Sequence, residues 1–155
     1  LISVNRVTEE TLGIIQYLMG RKITIKVELE ENLPRINASA SQIEEILINL
    51  CINAYDAMPN GGFLTINTKL AKAGQHNLSK KEKSYVTLIV IDTGTGMPKN
   101  LQKKIFEPFF STKGNKGTGL GLSSVSMILQ QLEGEIRLES EEGKGTTFFV
   151  FFPVA

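Results

Sequence analysis

The chain has few residues of the kind that build cross-links or metal centres. It holds one cysteine, Cys51, so no disulfide can close within it. Together with the one histidine, His76, that falls short of a zinc site by the usual ligand count. No apolar run approaches the length of a membrane span, and no signal-peptide pattern opens the sequence, so a reducing, cytosolic setting is expected. Internal repeats and low-complexity segments are missing too. Charge of one sign is also lacking: 17 Lys and Arg stand against 16 Asp and Glu, and a net +1 gives no push toward nucleic acid or acidic membranes. What is present is an ordinary globular composition over 155 residues, enough for one domain with a real core. The first residue is Leu1 rather than Met, which reads as a piece of a longer protein.

Periodicity predicts the elements. Residues 8–19 carry Leu12, Ile15 and Met19 at helical spacing, and Gly20 is a stop. Residues 22–30 alternate, with Ile23, Ile25, Val27 and Leu29 on one side, as a half-buried strand. Residues 41–58 form the longest helix, with Ser41 as N-cap and Glu44 completing a capping box. Its core stripe is Ile43, Ile46, Leu47, Leu50 and Ala54. Residues 63–70 and 85–91 are strands that pair as an antiparallel hairpin across an exposed polar connection, 71–84, which contains His76. A short helix is expected over 99–105, and a longer one to about 132 with Leu122, Val125, Leu129 and Leu132 inward. Strands at 135–140 and 146–154 end the chain, the last one apolar on both faces.

Three stretches carry chemistry. Asp92-Thr93-Gly94-Thr95-Gly96-Met97-Pro98 puts a carboxylate at the end of a buried strand, followed by two glycines that let backbone approach a ligand. An Asp-Gly turn closing a hairpin would look the same. A buried Asp is costly unless paired, and the exocyclic amine of adenine would pair it, whereas guanine sets an acceptor there. On the long helix Glu45, Asn49, Asn53 and Asp56 share one face. They form either a tolerated polar face or a row of oxygens toward a ligand, and an amide oxygen suits magnesium. Gly117-Thr118-Gly119-Leu120-Gly121-Leu122 precedes a helix start, where free N–H groups and the helix dipole favour phosphate, with Lys113 and Lys116 nearby. The spacing fits neither the P-loop nor the dinucleotide fingerprint.

Four stretches, in the family's order along the chain, resemble the sequence boxes of sensor histidine kinases. Asn49-Leu50-Cys51-Ile52-Asn53-Ala54 resembles the N box, and Asp92-Thr93-Gly94-Thr95-Gly96 the first glycine box. Phe106-Glu107-Pro108-Phe109-Phe110 is similar to the F box, and residues 117–122 to the second glycine box. The chain thus resembles the catalytic and ATP-binding domain of a bacterial two-component sensor kinase, of the nitrogen-regulatory sensor type given its short lid. The resemblance implies an α+β fold, the Bergerat ATP-binding fold: a two-layer sandwich with a mixed, mostly antiparallel sheet of about five strands and three main helices on one face.

It also implies roles. Asp92 would bind the adenine amine, Gly94 and Gly96 shape the base pocket, Met97 wall it, and Thr146 support the base through water, with Thr147 adjacent. Asn53 would hold Mg2+, while Asn49 and Lys113 would act in catalysis at the phosphates and Lys116 approach the γ-phosphate. Gly117, Gly119 and Gly121 would offer N–H groups, with Thr118, Leu120 and Leu122 completing that box. ATP and Mg2+ are the implied cofactors. The implied partners are a histidine-bearing dimerisation domain of the same full-length protein and a response regulator receiver domain. The γ-phosphoryl group would pass to a histidine nitrogen, with catalysis mostly by positioning and charge neutralisation. His76 lies on no long helix and has no acidic neighbour, so the acceptor is expected outside residues 1–155. Two alternatives stay open: an ATP-hydrolysing switch like the chaperone, gyrase or mismatch-repair ATPases, and an anti-sigma-type serine kinase. The first class places a Glu general base where Asn49 stands, and Glu45, one turn back, is the one substitute.

Overall fold

The computed structural model describes residues 1–107 and 121–155. Lys113, Lys116, Gly117, Thr118, Gly119 and Leu120, together with Pro108, Phe109 and Phe110 of the F box, lie outside them.

Helix α1, Val4–Met19, starts four residues earlier than periodicity suggested. The Ser3 hydroxyl caps it by accepting the Arg6 N–H at 3.3 Å. Thr8 and Thr11 join its buried face because their hydroxyls bond back to the Val4 and Val7 carbonyls, at 2.8 and 2.6 Å, leaving no open donor. Helix α2, Ala40–Ala57, is capped by Ser39, not Ser41, and the capping-box partner is Gln42, not Glu44. Ser39 has the extended backbone a cap requires, its Oγ accepts the Gln42 N–H at 3.2 Å, and Gln42 Oε1 accepts the Ser39 N–H at 3.0 Å. Ser41 already sits inside the first turn. The expected stripe Ile43, Ile46, Leu47, Leu50 and Ala54 is buried.

Strands β1 (Ile23–Leu29), β2 (Gly62–Ala71), β3 (Tyr85–Asp92), β4 (Glu135–Glu141) and β5 (Gly145–Pro153) form one sheet in the order β1-β2-β3-β5-β4. β1 and β2 run parallel and every other pair antiparallel, including the expected β2–β3 hairpin. Period-2 alternation sends Leu64, Ile66, Val86, Leu88, Val90, Phe148, Val150 and Phe152 to one face. There they join the buried stripes of α1, α2 and α4 (Gly121–Leu132) in one core, so helices and sheet make two layers. In α4 the buried apolar residues are Val125, Ile128 and Leu129, with Leu122 and Leu132 only partly covered. Helix α3 spans only Lys99–Gln102, because beyond it Lys104 bonds to the carbonyl three residues back and the turn tightens.

The connection between β2 and β3 is less exposed than its polarity suggested. Leu78 is buried, and His76 stands edge-on to Tyr85 with ring centroids 5.2 Å apart. His76 Nδ1 accepts the Leu78 N–H at 3.2 Å, so Nε2 carries the proton donated to the Lys83 carbonyl at 2.6 Å. This ring closes a turn over the sheet face opposite the helices. Among the described residues no helix is long and apolar enough to cross a membrane.

Candidate functional site

The site is built where β3 ends. Asp92 of β3 stands directly opposite Thr146 of β5 and on the same face as the Val90–Phe148 pair, so both side chains are on the helix-facing side of the sheet. Thr147 pairs with Ile91 and belongs to the other face. Asp92 is 6% exposed, and Thr146 is buried as well. Asp92 Oδ1 accepts two backbone N–H groups, Gly94 at 2.9 Å and Thr146 at 3.2 Å. Among the described residues Oδ2 accepts none, which leaves it as the acceptor for a ligand donor. Burial lifts the Asp92 carboxyl above the ordinary carboxylate range, and the two backbone bonds oppose the rise.

The glycine loop after Asp92 is held from two sides. The Thr95 N–H donates to the Ala57 carbonyl at the end of α2, at 3.0 Å, and a Cβ on Gly94 would collide with that same oxygen. On the other side the Gly143 N–H donates to the Thr95 carbonyl at 2.7 Å, and a Cβ on Gly96 would collide with the Glu141 carbonyl. Gly96 also has φ +68, a conformation that glycine adopts at no steric cost. Met97 is tied at both ends of its peptide: its N–H donates to Ser140 Oγ at 2.8 Å, and its carbonyl accepts from Gln102 Nε2 at 2.9 Å. The Met97 side chain packs against the core.

The other half of the site lies along α2. Asn49, Asn53 and Ala57 fall four residues apart on one stripe, about 12 Å from first to last at 1.5 Å per residue. Asn49 donates from Nδ2 to the Glu45 carbonyl at 2.9 Å, and its Oδ1 would lie 3.2 Å from a Cβ on Gly121, the first residue of α4. One end of the stripe thus meets α4 and the other meets the glycine loop, with half-buried Asn53 between. Glu45 and Asp56, read as part of one polar row, are exposed instead. The described residues bring together Asp92, Gly94, Gly96, Met97 and Thr146 in one group, and Asn49 and Gly121 in another. Leu122, beside Gly121, packs partly against the core.

Sequence reasoning missed Ser140, Gln102 and the Ala57 and Glu141 carbonyls. Ser140 lies 43 residues from its partner Met97, and nothing local in a polar strand end marks it. No cluster of three or more His, Cys, Asp or Glu side chains that could hold a metal occurs among the described residues. An amide oxygen such as that of Asn53 fits a magnesium ion that keeps its waters and shares phosphate oxygens, and not a self-contained metal site. An open cleft of about 310 Å³, lined by Ile36, Lys83, Glu133 and Phe152 among others, sits at the far end of β3 and β5 from Asp92 and contains no residue of the four boxes.

Comparison with known proteins agrees with this geometry. Residues 38–155 match the family described as histidine kinase-, DNA gyrase B-, and HSP90-like ATPase. The sensor kinase CckA of Brucella abortus is 44% identical over 145 residues, covering 90% of this chain and 15% of that protein. The signal transduction histidine-protein kinase AtoS of Escherichia coli is 35% identical over 154 residues, 99% of this chain and 24% of AtoS. The chain therefore spans a quarter or less of the length of these two relatives. Among solved structures, the catalytic domain of histidine kinase ThkA superposes with a TM-score of 0.70 at 29% identity, covering 97% of this chain and 90% of that one. Profile match, sheet order and helix layer agree: the chain belongs to the histidine kinase-, DNA gyrase B- and HSP90-like ATPase family.

Proposed function

We propose that this chain binds Mg-ATP and donates the γ-phosphoryl group to a histidine on a separate dimerisation domain, in two-component signalling through a response regulator. The observation that carries the reading is Asp92: a buried carboxylate with one oxygen saturated by backbone and the other available to the adenine amine. Gly94, Gly96 and Met97 shape the base pocket around it, and Thr146 flanks it. Asn53 holds the magnesium ion, and Asn49 reaches the phosphates beside Gly121. Lys113, Lys116, Gly117, Thr118, Gly119 and Leu120, with Gly121 and Leu122, complete the phosphate side. Bound magnesium supplies charge neutralisation at the phosphates. The chain's own part is to hold base and phosphates in line for transfer. Asn49 supports histidine as acceptor over water, since an amide cannot serve as the general base that water attack needs, and Glu45, the one substitute, is exposed a turn away. The kinase names of the relatives point the same way.

A thermal-shift titration tests this. Mg-ATP at 100 times its Kd should stabilise the chain by roughly 2.7 kcal/mol, Mg-GTP should do nothing, and ATP with a chelator should shift it less. No shift with any of the three sinks the nucleotide reading. In the same titration Asn53→Ala should give equal ATP affinity with and without magnesium. A variant that keeps the parent's full magnesium dependence would move the metal to other residues.

A further inference from the structure

Ser140 sits beneath the base site with every hydrogen-bonding capacity used. Its Oγ accepts the Met97 N–H at 2.8 Å, lies 3.2 Å from the Gly145 carbonyl, and lies 2.8 Å from Thr146 Oγ1. A serine hydroxyl has one proton and two lone pairs. The carbonyl can only accept and the amide can only donate, so the proton of Ser140 goes to Gly145. Its second lone pair then takes the proton of Thr146. That arrangement makes all three bonds, whereas the reverse polarity leaves the Gly145 contact unmade. Gln102 closes the cluster from outside, its Nε2 donating to the Met97 carbonyl at 2.9 Å and the Ser140 carbonyl at 3.1 Å.

We infer that Ser140 is a positioning residue for base selection: it takes the Thr146 hydroxyl proton, so that Thr146 and Asp92 together present only acceptors to the nucleobase. The inference rests on the nucleotide reading above and adds to it a cause for selectivity. At C6 a 6-amino purine offers the two N–H donors of its amine to such a floor, whereas a 6-keto purine sets an acceptor oxygen there against acceptor oxygens. Without Ser140 the Thr146 hydroxyl is free to turn its proton toward that oxygen.

The test compares ATP with inosine triphosphate, which replaces the 6-amino group by a keto oxygen. Kd values are measured calorimetrically for the parent, Ser140→Ala and Ser140→Thr, with melting temperatures taken alongside. In Ser140→Ala the preference for ATP should narrow by about fivefold, the worth of one hydrogen bond, whereas Ser140→Thr, which keeps the hydroxyl, should hold the parent ratio. If Ser140→Ala fails to fold, Ser140→Cys, a weak donor and acceptor of similar size, makes the same comparison. A folded variant that loses affinity for both nucleotides equally has only a structural Ser140 and overturns the inference. So does a parent that binds both alike. A parent that binds neither overturns the nucleotide reading itself.

Discussion

Replacing Asp92 by asparagine should weaken Mg-ATP binding about 100-fold or more while leaving the ligand-free chain as stable as the parent, or more so. Asparagine keeps an oxygen at the Oδ1 position, so the Gly94 and Thr146 N–H groups retain their acceptor. An NH2 group then replaces Oδ2 and faces the adenine amine donor to donor. Loss of a charged acceptor in a buried site costs about 3 kcal/mol or more, and each 1.4 kcal/mol is about tenfold in affinity. The stability sign follows from burial. Asp92 has its folded pKa raised above the unfolded value, so its contribution to stability is full at acid pH and lost as pH rises through the folded value. Once it ionises, its buried charge opposes folding, and asparagine removes that cost. Melting curves from the ordinary carboxylate range upward should show the parent falling relative to the variant. Parent-like ATP affinity in the variant would refute the adenine assignment, and a lower ligand-free melting temperature would assign Asp92 to the fold.

Gly96→Ala should abolish the Mg-ATP-induced thermal shift and also lower the melting temperature of the free chain. The left-handed backbone alone costs alanine about 1–2 kcal/mol. The collision of the new Cβ with the Glu141 carbonyl adds to this, because a backbone oxygen within a strand cannot swing aside as a side chain can. The loop would have to leave the β4–β5 turn, taking Met97 away from Ser140. Gly143→Ala is the control. Gly143 has a comparable φ of +80 but open space around its Cβ. It should show the backbone cost with the ATP shift retained. Equal loss of ATP binding in both variants would mean that strain, and not the collision, governs the loop.

Much of the chain was legible before any coordinates. Alternation gave β1 and β2 to within a residue or so, and helical spacing marked the α2 core stripe, because burial of one face forces that periodicity; β3 and β5 showed instead as runs apolar on both faces, as central strands are. Asp92 at the end of an apolar run, followed by glycines, announced a site, since an unpaired carboxylate there needs a partner. Boundaries set by caps were less legible. Ser39 and Ser41 are equally good candidates by type, and only the backbone angle and the reach of Gln42 separate them. The His76 connection looked like surface because its packing comes from Leu78 and Tyr85, which carry no pattern across that distance.

The local chemistry of Asp92, the asparagines on α2 and the glycine spacing belonged to the amino-acid order itself, because each depends on neighbours a few residues apart. The tertiary structure alone decided which threonine accompanies Asp92, since strand register sets Thr146 on its face and Thr147 on the other. It alone gave Gly94 and Gly96 their second reason for being glycine, the carbonyls of Ala57 and Glu141 brought against them from distant elements. The Ser140–Gln102 clasp is of the same kind: contacts across 38 residues and more are settled when strands pair and pack, and no local spacing encodes them.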